Sequence, residues 1–332
     1  MYAKDNIYLF SHGDLKIVDE TLYLENEDNI EKFSIIGVNE IYILGEINID
    51  REFLKAILDK KITIHFFNYY GYYSGSIFPK EHYNAADVLI KQTESYLNNY
   101  KRLEIARLFV DGAIHNILQV IRYYKNRGRK LERIEEGIVA LSKLTIECID
   151  INELMAIEGN VRNYYYQSFD LILDNPEFKF EQRSKRPPKN FLNTLISFGN
   201  SMLYTSVLGQ IYYTHLDPRI GYLHTSNFRR FSLNLDIAEI FKPIIVDRVI
   251  FTVVNRNIIT EDDFEFLSEG IMLKEKGRET FVSNFEDKMN STLRLGDIED
   301  DVSYKDLIQR EAKSLENHIL YDIEYKPFAS RW

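Results

Sequence analysis

Cysteine is nearly absent. Cys148 stands alone in 332 residues, so no intrachain disulfide can form, which suits a reducing compartment. Long apolar runs are also missing. The longest, Pro243 to Val254, is split by Asp247-Arg248 and falls well short of the roughly 20 residues a membrane helix needs. The opening MYAKDNIYLF lacks the charged-then-apolar pattern of a signal peptide. The chain is therefore expected to be cytoplasmic, with no membrane partner. There is no glycine-rich phosphate loop, no Cys/His zinc spacing, no internal repeat and no heptad array. Positive charge is in short supply as well: 41 Lys and Arg face 51 Asp and Glu, for a net charge of −10. A uniformly basic nucleic-acid coat is excluded, and any anion site must be a local patch.

What the chain does have is enough apolar sequence, 45%, to bury a full core, and a length that suggests about two domains. Residues 1–84 read as a β-rich domain. Ile7-Tyr8-Leu9-Phe10, Leu15 to Val18, Leu22 to Leu24, Ile41 to Leu44, Ile62 to Phe67 and Tyr72 to Phe78 are short apolar or alternating runs closed by turn residues. One helix interrupts them, Asp50 to Lys60, with Asp50 as N-cap. His65 lies in an apolar run and is expected to be a satisfied core or edge histidine. Residues 1–60 carry 13 acidic and 6 basic residues, which argues against DNA phosphate on this part.

From residue 85 helical periodicity takes over. One or two long helices run to about Tyr124, and others cover Ile151 to about Leu173, Asn190 to Tyr213, Ile240 to Asn255, Glu261 to Leu267, about Gly277 to Leu293, and Tyr304 to Leu320. Thr260 with Asp263 makes a capping-box start. Arg122 to Arg133, with six basic residues, reads as a solvated loop or a phosphate contact. The acidic segment from Asp297 to Trp332 is expected to be the least anchored. The predicted fold class is α+β: an N-terminal β-rich domain, 1–84, followed by a larger all-α C-terminal catalytic domain, 85–332.

The chemistry concentrates in that second part. His215 to Glu239 holds an Asp-Pro turn at Asp217-Pro218, two histidines, Arg229-Arg230, and the carboxylates Asp236 and Glu239 at i,i+3, hence on one helical face. Upstream, Glu158 falls within the apolar register of Leu154, Met155, Ile157 and Val161. A carboxylate so placed must be compensated or it costs several kcal/mol. Gly159, a costly helix residue, follows it. Arg183 to Arg230 carries seven basic residues and one acidic one, against the trend of the chain. Glu158, His224 and Glu239 would make an oxygen-rich set with one imidazole, suited to magnesium or manganese and compatible with zinc. Asp236 is an auxiliary ligand or a support. Arg162, Arg183, Arg186, Arg219, Arg229, Arg230 and Lys242 are candidates for holding a DNA backbone. From the residues alone the two histidines and two carboxylates of the stretch remain in competition.

Five ordered segments carry a family resemblance: Met155-Ala-Ile-Glu-Gly-Asn-Val-Arg162, Arg186-Pro-Pro-Lys-Asn190, Leu195-Ile-Ser-Phe-Gly-Asn-Ser-Met-Leu-Tyr204, Leu216-Asp-Pro-Arg-Ile-Gly-Tyr-Leu-His224 and Leu233-Asn-Leu-Asp-Ile-Ala-Glu-Ile-Phe-Lys-Pro243. With Ile64-His-Phe-Phe67 and Gly71-Tyr-Tyr-Ser-Gly75, the chain resembles the CRISPR-associated adaptation endonucleases, the larger subunit of the spacer-acquisition integrase. The resemblance implies a β-domain that forms a homodimer, a small ferredoxin-like adaptation subunit as partner, and double-stranded prespacer and CRISPR repeat DNA as substrates. It implies metal ligation and catalysis by Glu158, His224 and Glu239, the last standing where many relatives have Asp. The implied reaction is metal-dependent insertion of prespacer DNA into a CRISPR array, by attack of a 3′-hydroxyl on a repeat phosphodiester. A stand-alone metal-dependent repair nuclease and a non-catalytic DNA-binding scaffold are the alternatives.

Overall fold

The computed structural model of the chain describes residues 6–27, 29–79, 86–224, 231–294 and 301–331. It divides into two compact units, Met1–Tyr83 and Asn84–Trp332.

The first unit is strand-rich. Its elements are β1 (Asn6–Leu9), β2 (Gly13–Val18), β3 (Thr21–Glu25), β4 (Ile30–Ser34), β5 (Glu40–Ile43), β6 (Ile47–Ile49), α1 (Arg51–Asp59), β7 (Thr63–Phe67) and β8 (Tyr73–Ile77). One sheet has the order β1-β5-β7-β8, parallel except for the β7–β8 hairpin. The other has the order β4-β3-β2-β6, with β6 parallel to β2. Leu9, Leu15, Leu22, Leu24, Ile41 and Ile64 form the core with Phe53 and Ile57 of α1. Asp50 caps α1 through its Oδ1, which accepts the amide of Phe53 at 2.7 Å. The β7–β8 turn closes on Gly71, whose φ of +76° suits glycine. His65 is fully buried, with Nδ1 2.7 Å from Ser76 Oγ, in keeping with a core histidine. The strands β4 and β6 escape a periodicity reading because they are sheet edges. Ile30-Glu-Lys-Phe-Ser34 alternates apolar and polar residues only loosely and stays partly exposed.

The second unit is mostly helical. Its helices are α2 (Ala86–Leu97), α3 (Asn99–Lys125), α4 (Glu132–Ser142), α5 (Ile151–Gln167), α6 (Phe169–Ile172), α7 (Phe191–Tyr212), α8 (Leu233–Phe241), α9 (Val246–Asn255), α10 (Glu275–Asn290) and α11 (Tyr304–Tyr321). It is not wholly helical: β9 (Phe264–Phe266) pairs with β10 (Ile271–Leu273), and β11 (Thr292–Arg294) with β12 (Asp301–Ser303). The central helix α7 is buried on every side, as its apolar composition requires, and starts where Asn190 Oδ1 accepts the amide of Asn193 at 2.8 Å. It packs against α8, α9 and α11, and α8 also packs on α3. No described helix is long and apolar enough to cross a membrane.

Four expectations need correction. Ile240–Asn255 is not one helix: α8 ends at Phe241 and α9 begins at Val246, because Pro243 has no amide to donate and its ring clashes with the preceding turn. Glu261–Leu267 is a single 3₁₀ turn, with its Thr260–Asp263 capping box in place, that runs into β9. Arg122–Arg133 is not one loop. Helix α3 continues through Lys125 and α4 starts at Glu132, and Arg122 Nε donates to Glu135 Oε1 at 2.7 Å. The C-terminal segment is anchored, not loose. Tyr325 and Ser330 are buried, Phe328 stacks on Phe241 with centroids 5.8 Å apart, and the amide of Phe328 donates to buried Glu311 at 2.9 Å.

Asn116 on α3 pins that segment. Its Nδ2 donates to the carbonyls of Ile240 at 2.9 Å and Phe328 at 3.1 Å, and its Oδ1 accepts the amide and hydroxyl of Ser330, each at 2.9 Å. Asn116→Ala would orphan these buried groups, and a loss of about 2–4 kcal/mol is expected in urea unfolding, with early proteolysis near residue 328.

Candidate active site

The helices α5 and α8 carry the two candidate carboxylates. Asp150 caps α5, its Oδ1 accepting the amide of Glu153 at 2.9 Å. Two turns on, Glu158 lies one helical turn before Arg162, with Oε1 3.5 Å from Arg162 Nε. Arg162 then spans to α8, where Nη2 donates to Glu239 Oε2 at 2.5 Å. The other Glu239 oxygen, Oε1, accepts from Lys242 Nζ. Glu239 is 4% exposed, and Arg162 and Lys242 are buried beside it. Burial alone would raise the Glu239 pKa, but Lys242, Arg162 and His224 hold it down to about 2. Glu158 goes the other way: burial and the Glu239 charge raise it, against Arg162, Lys242 and His224. The two carboxylates and the imidazole thus sit within electrostatic reach of one another.

His224 is placed from behind. Asp236, on α8 one turn before Glu239, is fully buried. Its Oδ2 accepts the amides of Tyr222 at 2.6 Å and Leu223 at 3.1 Å, and its Oδ1 accepts the amide of His224 at 2.9 Å. The same Oδ1 lies 2.7 Å from His224 Nδ1. An ionised carboxylate only accepts, so Nδ1 carries the proton and Nε2 is the nitrogen left to act. Burial lowers the His224 pKa, but the hydrogen bond and charge of Asp236, with Glu239, outweigh it and leave the value raised.

The loop that delivers His224 is held by residues the sequence reading passed over. Gln92 of α2 donates to the carbonyls of Asp217 at 3.0 Å and Ile220 at 3.1 Å and accepts the amide of Asp217 at 2.8 Å. Arg102 Nε donates to the carbonyl of Tyr222 at 2.9 Å, and Ser232 Oγ accepts the amide of Gly221 at 2.9 Å. A Cβ on Gly221 would stand 2.9 Å from Asp236 Oδ2 and 2.8 Å from the Ser232 carbonyl carbon, so only glycine fits. None of these contacts has a sequence spacing that announces it, though the glycine beside Asp-Pro was a signal. Asp247 is another omission. Burial raises its pKa to about 7, against the pull of nearby Arg162.

The remaining candidates sort by place. His215, the competing histidine, is tied to Glu316 of α11, which takes its amide at 2.8 Å and lies 2.5 Å from its Nδ1. Arg162 and Lys242, candidates for holding a DNA backbone, are buried and paired with Glu239. Arg183 donates to Asn193 Oδ1 at 2.9 Å and Ser197 Oγ at 3.1 Å, which gives it a loop-bracing role. Arg186 is exposed, as is Arg219, which pairs with Asp217. Lys185, not singled out from sequence, feels the charges of Glu239 and Glu158. Arg229 and Arg230 lie outside the described residues. A Cβ on Gly159 would meet open space, so nothing in the structure explains that glycine.

Among the described residues no three His, Cys, Asp or Glu side chains are drawn up as a closed metal-binding group. Both oxygens of Glu239 are engaged by cations. The donor types nevertheless fit a hard divalent ion with a mixed oxygen and nitrogen shell: an ionised carboxylate, a second carboxylate beside it, and an imidazole with its Nδ1 already committed.

Comparison with known proteins identifies the family and the fold. The family model described as "CRISPR associated protein Cas1" matches residues 7–287. A curated relative, "CRISPR-associated endonuclease Cas1 2" from Thermodesulfovibrio yellowstonii, is 48% identical over 99% of this chain and 100% of its own. The solved structure of a CAS1 protein from Thermotoga maritima superposes with a TM-score of 0.85 at 43% identity, covering 98% of this chain and 100% of that one. A "Casposase bound to integration product" shares the fold, with a TM-score of 0.88 at 19% identity over 98% of this chain and 94% of its own.

Because its folded pKa is raised, charged His224 stabilises the fold fully below the unfolded pKa, and that stability is lost as pH rises through the folded value. Asp236→Asn leaves burial unopposed by the carboxylate. The His224 ring should then titrate below its ordinary value by NMR. The extra stability of the wild type at about pH 5 relative to about pH 8 should shrink in urea unfolding.

Proposed function

Since the chain belongs to the Cas1 family of CRISPR-associated proteins, we propose that it is a metal-dependent DNA endonuclease and integrase that inserts prespacer DNA into a CRISPR array. The observation that carries this reading is the 2.7 Å pairing of His224 with Asp236, which lies on α8 one turn before the buried, ionised Glu239, itself tied through Arg162 to Glu158. In this reading residues 85–332 are the catalytic domain and residues 1–84 the dimerisation domain of a homodimer. The partner is a small ferredoxin-like adaptation subunit, and the substrates are double-stranded prespacer and repeat DNA.

Glu158, His224 and Glu239 would hold magnesium or manganese, which when bound supplies Lewis-acid stabilisation of charge on the phosphodiester and its entering and leaving oxygens. The chain's own residues do the rest. Asp236 keeps the proton on Nδ1 of His224 and turns Nε2 toward the site. Arg162 and Lys242 keep Glu239 ionised at neutral pH. The rigid frame of α5 and α8 fixes where the phosphodiester must sit for in-line attack by a 3′-hydroxyl, or by water in DNA cleavage. Arg186 and Arg219, exposed on the loops leading into α7 and α8, are the described candidates for contacts to the DNA backbone, and Arg229 and Arg230 are candidates outside the described residues.

The test is half-site integration into a repeat-bearing plasmid, with the partner subunit and manganese. His224→Ala should bring joined product to background while the homodimer persists in sedimentation. Asp236→Asn should lose about 10–100-fold. Cleavage without any joined product would favour the repair nuclease, and unchanged activity of Glu158→Gln would favour the scaffold. Wild-type integration by His224→Ala would remove the ligand assignment.

A further inference from the structure

We infer that Lys242 and Arg162 are counter-cations that stand in for the divalent metal, so that the metal and a DNA phosphate enter the site together and not in independent steps. This rests on Glu239 being a metal ligand.

Both oxygens of Glu239 are in use. Oε1 takes Lys242 Nζ, Oε2 takes Arg162 Nη2 at 2.5 Å, and the residue is 4% exposed, leaving little room for water to substitute. Each carboxylate oxygen keeps a second lone pair, but a metal ion there would lie against a cation already in place, and their repulsion favours displacing one of them. Arg162 is the less movable, because it also faces Glu158 at 3.5 Å. Lys242 has no second carboxylate within ion-pair distance among the described residues, and its ammonium already lies 4.8 Å from the Tyr204 ring centroid, a contact it can keep on leaving Glu239. Lys242 is thus the group that yields.

Charge counting gives the consequence. Arg162 and Lys242 bring two positive charges to Glu239, with Glu158 beside Arg162. A divalent ion on Glu239 adds positive charge beside the buried Arg162 and Lys242, and repulsion among the cations disfavours it. A phosphodiester supplies the missing negative charge and gives the displaced ammonium a partner. Metal alone should bind weakly, DNA should strengthen it, and by reciprocity metal should strengthen DNA binding by the same factor. Lys242 is then a positioning residue. It holds Glu239 in the ligating conformation beforehand and afterwards faces the phosphate.

Calorimetric titration of Mn²⁺ into the full chain, alone and with a short duplex carrying 3′-deoxy ends that cannot be joined, tests this. The wild type should bind Mn²⁺ about tenfold or more tightly with the duplex present, after correction for Mn²⁺ taken up by DNA alone. Lys242→Met, similar in size but neutral, should bind Mn²⁺ alone about tenfold more tightly than the wild type and lose most of the DNA effect. Lys242→Arg should restore the wild-type pattern. If folded Lys242→Met binds Mn²⁺ alone no more tightly than the wild type, while Glu239→Gln loses Mn²⁺, the counter-cation role is overturned and the ligand stands. If Glu239→Gln binds Mn²⁺ as the wild type does, the ligand assignment falls and this inference falls with it. Should Lys242→Met not fold, the wild-type comparison decides: no strengthening by DNA overturns the inference.

Discussion

A carboxylate held almost entirely out of water is costly unless opposite charge reaches it, and the penalty for leaving it alone is several kcal/mol. Glu239 is such a group, and the architecture of the helical unit follows from answering it. One answer comes from its own helix, Lys242 one turn on; the other comes from α5, Arg162. The second is an inter-helix tie, and it brings Glu158 along because Glu158 and Arg162 share a helical face. The chain breaks directly after Lys242. Pro243 ends α8, and the turn that follows sends α9 off with Asp247 in its first turn, close enough to Arg162 for their charges to interact.

Helix α8 is therefore the spine of the site. Asp236 and Glu239, three residues apart, act on neighbouring faces. Asp236 gathers three consecutive amides and the His224 ring, and Glu239 meets the two cations. The first role turns an irregular loop into a rigid one: residues 222–224 have no ladder or helix partners, so a buried carboxylate takes their place. Gly221 makes the close approach possible, and Gln92 of α2 fixes the loop's other end. A histidine at the end of a loop is thereby held as firmly as one on a helix.

The sequence made the large divisions legible for physical reasons. Period-two alternation gives way to period 3.6 near residue 84, and caps such as Asp50, Asp150 and Asn190 mark helix starts through the hydrogen bonds they go on to make. Edge strands such as Ile30–Ser34 bury too little to show alternation, and hairpins as short as Phe264–Phe266 fall below the length at which a period can be read. In the site, Asp236 and Glu239 were visible as an i,i+3 pair and Glu158 as a carboxylate in an apolar register. Which partner each would take was not, because Arg162 to Glu239 spans 77 residues and Gln92 to Asp217 spans 125. Basic residues look alike in sequence whether they face solvent or a buried acid. Arg162 and Lys242 were read with Arg186 and Arg219, and only burial separates the two pairs.

That separation bears on how a chain of net charge −10 can act on a polyanion. If the basic residues of the helical unit formed one continuous surface, DNA binding would be a matter of their number and would weaken steeply with salt. Instead the positive charge is in two layers. In the proposed function the exposed layer, Arg186 and the Asp217-paired Arg219, would orient a backbone. The buried layer, Arg162 and Lys242, is neutralised by Glu239 and exerts little long-range pull until something enters the site to redistribute the charge. In the proposed function a polyanion would meet the exposed charges first, and the buried ones would act only on the single phosphodiester that reaches α8. Such a division favours positional selectivity over bulk affinity, and it needs no more positive charge than this acidic chain contains.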